Sequence, residues 1–206
     1  MHLTCLAIVL SALAASPAPA PDGGKVDGRS SVQTYLATHD VPTEAELRAL
    51  GKAPEDALMA VATDTRAEGL IRARAVAALR LLPSPSVHAF LGKMIQAKAK
   101  TTDPTDRLIL RRAAVTLGWL AGAGAAEMLA LLFENDDIEV RLDAVIGLGL
   151  TRAASAPKLL RNQLAAESAP RVRDQIERQL RVLDQVLGQP ENTPSPKKEQ
   201  PMRGGW

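Results

Sequence analysis

Apolar residues return every three or four positions along most of this chain, and in four places they do so within the same ten-residue pattern. The copies occupy 70–79, 108–117, 139–148 and 171–180. Anchored on Ile71, Ile109, Val140 and Val172, they recur at spacings of 38, 31 and 32 residues. The places of Ile71, Ala75 and Leu79 are taken in turn by Ile109, Ala113 and Leu117, by Val140, Ala144 and Leu148, and by Val172, Ile176 and Leu180. A spacing of four keeps each trio on one face of a helix, here called B. A second helix, A, precedes each copy, with Phe90 and Met94, Met128 and Leu132, and Leu160 and Leu164 in matching places. Units of this size recur because none can bury its apolar face alone. The pattern therefore predicts an all-α fold, an α-solenoid of about four stacked antiparallel helix pairs, with capping helices ahead of it in 31–50.

Start and stop signals fall between these elements. Thr43 with Glu46 reads as a capping box, Ser84-Pro85 and Asp103-Pro104 as an N-cap followed by a first-turn proline, and Asp136 or Asp137 as the cap of the third B helix. Gly122 and Gly124 close the second unit. The longest spacing, 38, places about seven extra residues between the A and B helices of the second unit, around 97–103, as a mobile surface loop. The fourth copy has Glu177 where the others have Val76, Ala114 and Val145 on the flank that meets the next unit. A carboxylate there requires water beyond it, so the array ends with that copy.

Composition narrows the core chemistry. Aromatic residues make up only 2% of 206, so Ala, Leu, Val and Ile must fill the interior, as close helix packing permits. With 25 basic against 23 acidic residues the net charge is +2, too balanced to point to a nucleic-acid or other polyanion partner.

The two ends differ from the middle. An apolar run at 3–15 followed by small residues and prolines has the form of a signal peptide, with Ala14 and Ala20 as alternative cleavage points. The organisation expected is a signal peptide over 1–20, a flexible leader over 21–31, the solenoid over 32–187 and a disordered Pro- and Lys-rich tail over 188–206. Cleavage would remove Cys5, the lone thiol, and yield an exported or periplasmic protein without disulfides.

The third copy, Asp137-Ile138-Glu139-Val140-Arg141 with Asp143-Ala144-Val145 and Gly147-Leu148-Gly149, resembles the second helix of a HEAT repeat. Arg111-Arg112-Ala113-Ala114-Val115 with Leu117-Gly118 is a close variant. The resemblance covers roughly 54–187 and speaks to architecture rather than activity. It implies a polar ladder between an acid before helix B and an Arg near its start, carried here by Asp137 with Arg141 and by Glu68 with Arg72. The second copy has Leu110 where the Arg belongs, and the fourth has Ala169 where the acid belongs. It also implies that the side of helix B opposite the A helices lines a concave surface.

No catalytic constellation is legible. His2, His39 and His88 are the only histidines, and His39-Asp40 has no second pair to complete a metal centre. The acidic stretch 134–139 lacks the ligand spacing and glycine of a calcium loop and suits helix capping better. No cofactor is expected. Helical steps of 100° place Val115, Leu142 and Ile146 on the side away from the A helices, edged by Arg111, Arg178 and Arg181. An apolar centre rimmed by arginine is the composition of a protein-binding patch, and the alternative is packing between adjacent B helices. The large ring of Trp119 is expected to fill a gap between units. The sequence thus favours a monomeric, non-enzymatic exported scaffold that binds a protein or peptide. A HEAT-like accessory lyase or metal-dependent enzyme, and a polyanion binder acting through the B-helix arginines, remain as alternatives.

Overall fold

The computed structural model describes residues 28–38, 42–122 and 124–188. The expected signal peptide, residues 21–27 of the leader, His39 and the tail from 189 onward lie outside them. The described residues are helical, with no strand: α1 Gly28–Thr38, α2 Glu44–Ala49, α3 Pro54–Thr63, α4 Gly69–Ala78, α5 Pro85–Lys98, α6 Pro104–Leu120, α7 Ala125–Ala130, α8 Ile138–Thr151, α9 Ala156–Ala166 and α10 Pro170–Leu187. Short 3-10 turns at Leu79–Leu81 and Leu131–Glu134 extend α4 and α7.

The four copies of the repeated pattern fall on α4, α6, α8 and α10, each beside the helix before it in sequence. In addition α4 packs on α6, α6 on α8 and α8 on α10, so these four lie side by side. The residues spaced by four supply the inner face. Ala75, Leu79, Ile109, Ala113, Leu117, Val140, Ala144, Leu148, Val172 and Ile176 are buried, while Ile71 and Leu180, at the two ends of the row, are only partly covered. One apolar cluster runs unbroken from Val32 in α1 to Leu183 in α10. Val76, Ala114 and Val145 are fully buried between successive units, and Glu177 at the equivalent place on α10 is exposed.

Caps set the boundaries, at about 1 kcal/mol each. Thr43 and Glu46 form the reciprocal capping box, Ser84 Oγ accepts the Val87 N–H at 3.2 Å, and Asp103 Oδ1 accepts the Asp106 N–H at 2.8 Å. Of the two candidate caps on α8, Asp137 does the capping, accepting the N–H groups of Glu139 and Val140 at 2.8 and 3.1 Å. After α6 the chain turns through Ala121, Gly122 and Gly124, all with positive φ; the residue that leaves the helix in this way is Ala121, at 50°.

Two expectations need correction. Helix α1 begins at Gly28, inside the stretch read as leader, because Val32 and Leu36 are one turn apart and both bury against α3 and α4. The 97–103 stretch is not loose either. Helix α5 takes its first two residues, and Asn135 Nδ2, from the next unit, donates to the carbonyls of Ala99 at 2.6 Å and Thr101 at 3.5 Å. A buried side-chain amide bonding to loop carbonyls holds the backbone it touches.

Candidate binding face

Arginines near the starts of α4, α6 and α8 meet acidic residues that lie at or just before the start of the next helix of this set, not the acids ahead of their own helices. In an α-helix side chains lean toward the amino terminus, so an Arg one turn into a B helix reaches back past its own cap. Arg141 donates from Nε and Nη2 to the two carboxylate oxygens of Glu167 at 2.9 and 3.0 Å, and from Nη1 to the carbonyls of Asn135 and Asp136. Arg72 donates to the Ala62 carbonyl and lies 3.9 Å from Asp106, whose other oxygen pairs with Lys98 at 2.6 Å. Arg107, a turn earlier than the missing Arg at Leu110, donates to the Thr101 carbonyl and lies 3.5 Å from Asp137. The pairs expected from sequence, Glu68 with Arg72 and Asp137 with Arg141, do not form. Glu68 is exposed, and Asp137 is occupied by its helix N-terminus and by Arg107. Arg173, with no acid ahead of it, donates to the carbonyls of Leu164 and Glu167 instead.

Glu167 is the residue that sequence reading missed. It sits two places before Ala169, and its longer side chain reaches where an Asp at Ala169 would have been. It is 6% exposed. Burial by itself would push its carboxyl pKa up; the Arg141 guanidinium, the Ala169 N–H and the Gln163 amide outweigh that and bring it down from 4.5 to about 2.

Successive B helices meet closely along one flank. A methyl group on Gly118 would overlap the Gly147 backbone, and one on Gly147 would overlap the Ala114 carbonyl. Thr116 Oγ1 donates to the Val76 carbonyl at 3.3 Å across the preceding interface. These contacts settle which sides of α6 and α8 face their neighbours. The remaining side, away from the A helices, carries two rows that cross all four B helices.

The first row is Ala77, Val115, Ile146 and Arg178, with the three apolar members half-buried and Arg178 exposed. The second, ten residues after each anchor, is Leu81, Trp119, Leu150 and Val182. All four are apolar, and Trp119 and Val182 are 59% and 50% exposed. Trp119 therefore fills no gap between units. Counting four residues on from Val115 would have placed it on this face.

The six residues expected to form the binding patch divide. Val115 and Ile146 lie in the first row with Arg178, whose Nε and Nη2 donate to Gln175 Oε1. Leu142 packs partly against the core cluster. Arg111 is not available to a partner in the way expected, because Nε donates to Asp143 Oδ2 at 2.7 Å and Nη2 lies 3.5 Å from Glu139. Glu139 in turn accepts from Arg171 at 2.7 Å. Arg181 is exposed on the terminal flank of α10, in the place that Gly118 and Gly149 hold in the interfaces before it.

Near the amino-terminal end of the face lies a cleft of about 350 Å³ between Pro42, Leu70, Ala73, Ala77 and Leu81, with Arg74, Arg80 and Arg112 at its walls. A larger one of about 800 Å³ opens between α1 and α3, lined mainly by Val32, Leu50, Pro54, Ala57 and Ala60. His88 is half-buried beneath Gly122, and its Nε2 is buried without a hydrogen-bond partner. In the acidic stretch, Glu134 pairs with Lys100 at 2.8 Å and Asn135 Oδ1 accepts the Asp137 N–H. Among the described residues no three His, Cys, Asp or Glu side chains gather as a metal ion would require. None of the described helices is long and apolar enough to cross a membrane.

Comparison with known proteins finds no matching family model, no matching curated protein and no matching solved structure.

Proposed function

We propose that this chain is a non-enzymatic scaffold, an α-solenoid of HEAT-like helix pairs that binds a protein or peptide on the exposed face of α4, α6, α8 and α10. The observation that carries the reading is the row Leu81, Trp119, Leu150 and Val182, which keeps an apolar residue at the same place in every unit while neighbouring surface places change. Leu81 packs partly against the core, but core packing does not explain Trp119 and Val182, which remain in water, whereas apolar surface edged with arginine fits recognition of another chain. The side-by-side order of the four helices and their shared register support the solenoid. Export to the periplasm or beyond is part of the proposal and rests on the apolar run at 3–15.

The test is affinity capture from the protein's own compartment with wild type and with the double variant Trp119→Ala, Ile146→Asp. A protein retained by the first and lost with the second, at equal helical circular dichroism, is the expected result. Equal recovery on both would dispose of the face as the binding site.

A further inference from the structure

The charges around this face are not balanced, and the imbalance selects a class of partner. Near the centre of the face the carboxylates are taken, Asp143 by Arg111 and Glu139 by Arg111 and Arg171, while Asp174, a turn before Arg178 at the carboxy-terminal end, is exposed. Arg80 and Arg112 are exposed, and no carboxylate among the described residues pairs with either. Both line the 350 Å³ cleft, whose floor is the apolar group Ala73, Ala77 and Leu81, with Leu70 at its mouth 51% exposed. Arg74, on the same cleft, is held by donation from Nη1 to the Leu36 carbonyl at 2.9 Å, so it forms fixed wall. Arg112 lies two turns before Trp119 on one side of α6. A guanidinium beside an apolar floor, unneutralised from within, is suited to a carboxylate whose neighbours are apolar.

Resting on the reading of this face as a binding surface, we propose that the partner segment is an acidic, apolar peptide. Its carboxylates meet Arg80 and Arg112 in the cleft, and its apolar side chains lie along the rows of Val115 and Trp119. A phosphate backbone fits less well, because Trp119 is the one aromatic in the two rows, too few to stack successive bases. The chain's own residues 189–206 do not match either, since Lys197, Lys198 and Arg203 outnumber Glu191 and Glu199.

The experiment uses short synthetic peptides with the repeat Leu-Asp-Asp-Leu, copies with Asn or Lys in place of Asp, and a single-stranded oligothymidylate. Binding is read by anisotropy of the labelled probe and by Trp119 fluorescence in a Trp206→Phe background. The acidic peptide is expected to bind at least about tenfold more tightly than the Asn copy, as two charge-assisted contacts would give. Arg80→Glu with Arg112→Glu should erase that preference and favour the Lys copy, with helical circular dichroism unchanged. Equal binding of the Asp and Asn peptides, both lost in Trp119→Ala, Ile146→Asp, would overturn the acidic preference and leave the binding face standing. Failure of every peptide to bind, or oligothymidylate binding as tightly as the acidic peptide, would also overturn the inference. The face itself is judged separately by the capture experiment.

Discussion

Glu167 shows how much one side chain carries in this protein. Its two oxygens accept four hydrogen bonds, two from Arg141 and one each from Gln163 and the Ala169 N–H, and together they tie α8 to the turn before α10. With a folded pKa of about 2 against 4.5 for an unburdened carboxyl, the folded state holds the proton less tightly than the unfolded one. The stability this confers is complete above the unfolded value and is lost as pH falls from about 4.5 through about 2. Glu167→Ala is expected to cost about 3–5 kcal/mol near neutrality, because Arg141 stays buried without its counter-ion. The difference from wild type should shrink as pH falls through that window. Urea unfolding of both proteins at several pH values between neutrality and 3 measures it, and a difference independent of pH would contradict this account. The sequence exposed Arg141 and its neighbours, but not this partner. The acid sits 26 residues from Arg141, a separation that only the stacking of units converts into contact.

Among the elements, α6 and α8 pack with backbone against backbone. The glycines that permit it invert the usual rule for helix interiors, where Ala is more favourable than Gly by about 1 kcal/mol. At Gly118 a methyl group would meet the Gly147 backbone, which cannot turn aside as a side chain can. Gly118→Ala is therefore expected to destabilise by about 1–3 kcal/mol, opposite in sign to helix propensity. Thermal or denaturant unfolding decides the sign, and a stabilised variant would show that the two helices can part without cost. Helix limits were largely legible beforehand, since Thr43, Ser84, Asp103 and Asp137 each bond the orphan N–H groups of a helix start. The reach of α1 back to Gly28 was not, because a Gly-Arg-Ser-Ser stretch has no apolar periodicity and is drawn into the helix by what Val32 and Leu36 bury.

Across the whole molecule the packing is serial: each of α4, α6, α8 and α10 adjoins the next, and one apolar cluster passes through all of them. Damage in the middle should therefore travel both ways. Leu148, fully buried in α8, is the point to test; Leu148→Ala is expected to cost about 2–5 kcal/mol. Hydrogen exchange should then quicken in α6 and α10 as well as in α8. A loss of protection confined to α8 would show that the interfaces do not couple the helices.

The periodic spacing of apolar residues decided by itself that the chain is helical and which side of each B helix turns inward, and the capping residues Thr43, Ser84, Asp103 and Asp137 marked where four helices begin, because those properties depend on neighbours within three or four residues. The stacked arrangement decided the rest. It made Asp106, Asp137 and Glu167 partners of arginines in the preceding unit, locked Arg111 against Asp143, and left Trp119 in water with Arg112 two turns away on the same side. Each of these depends on the distance between residues some 30 positions apart, or on what a neighbouring helix leaves uncovered, and neither quantity is set until the helices lie side by side.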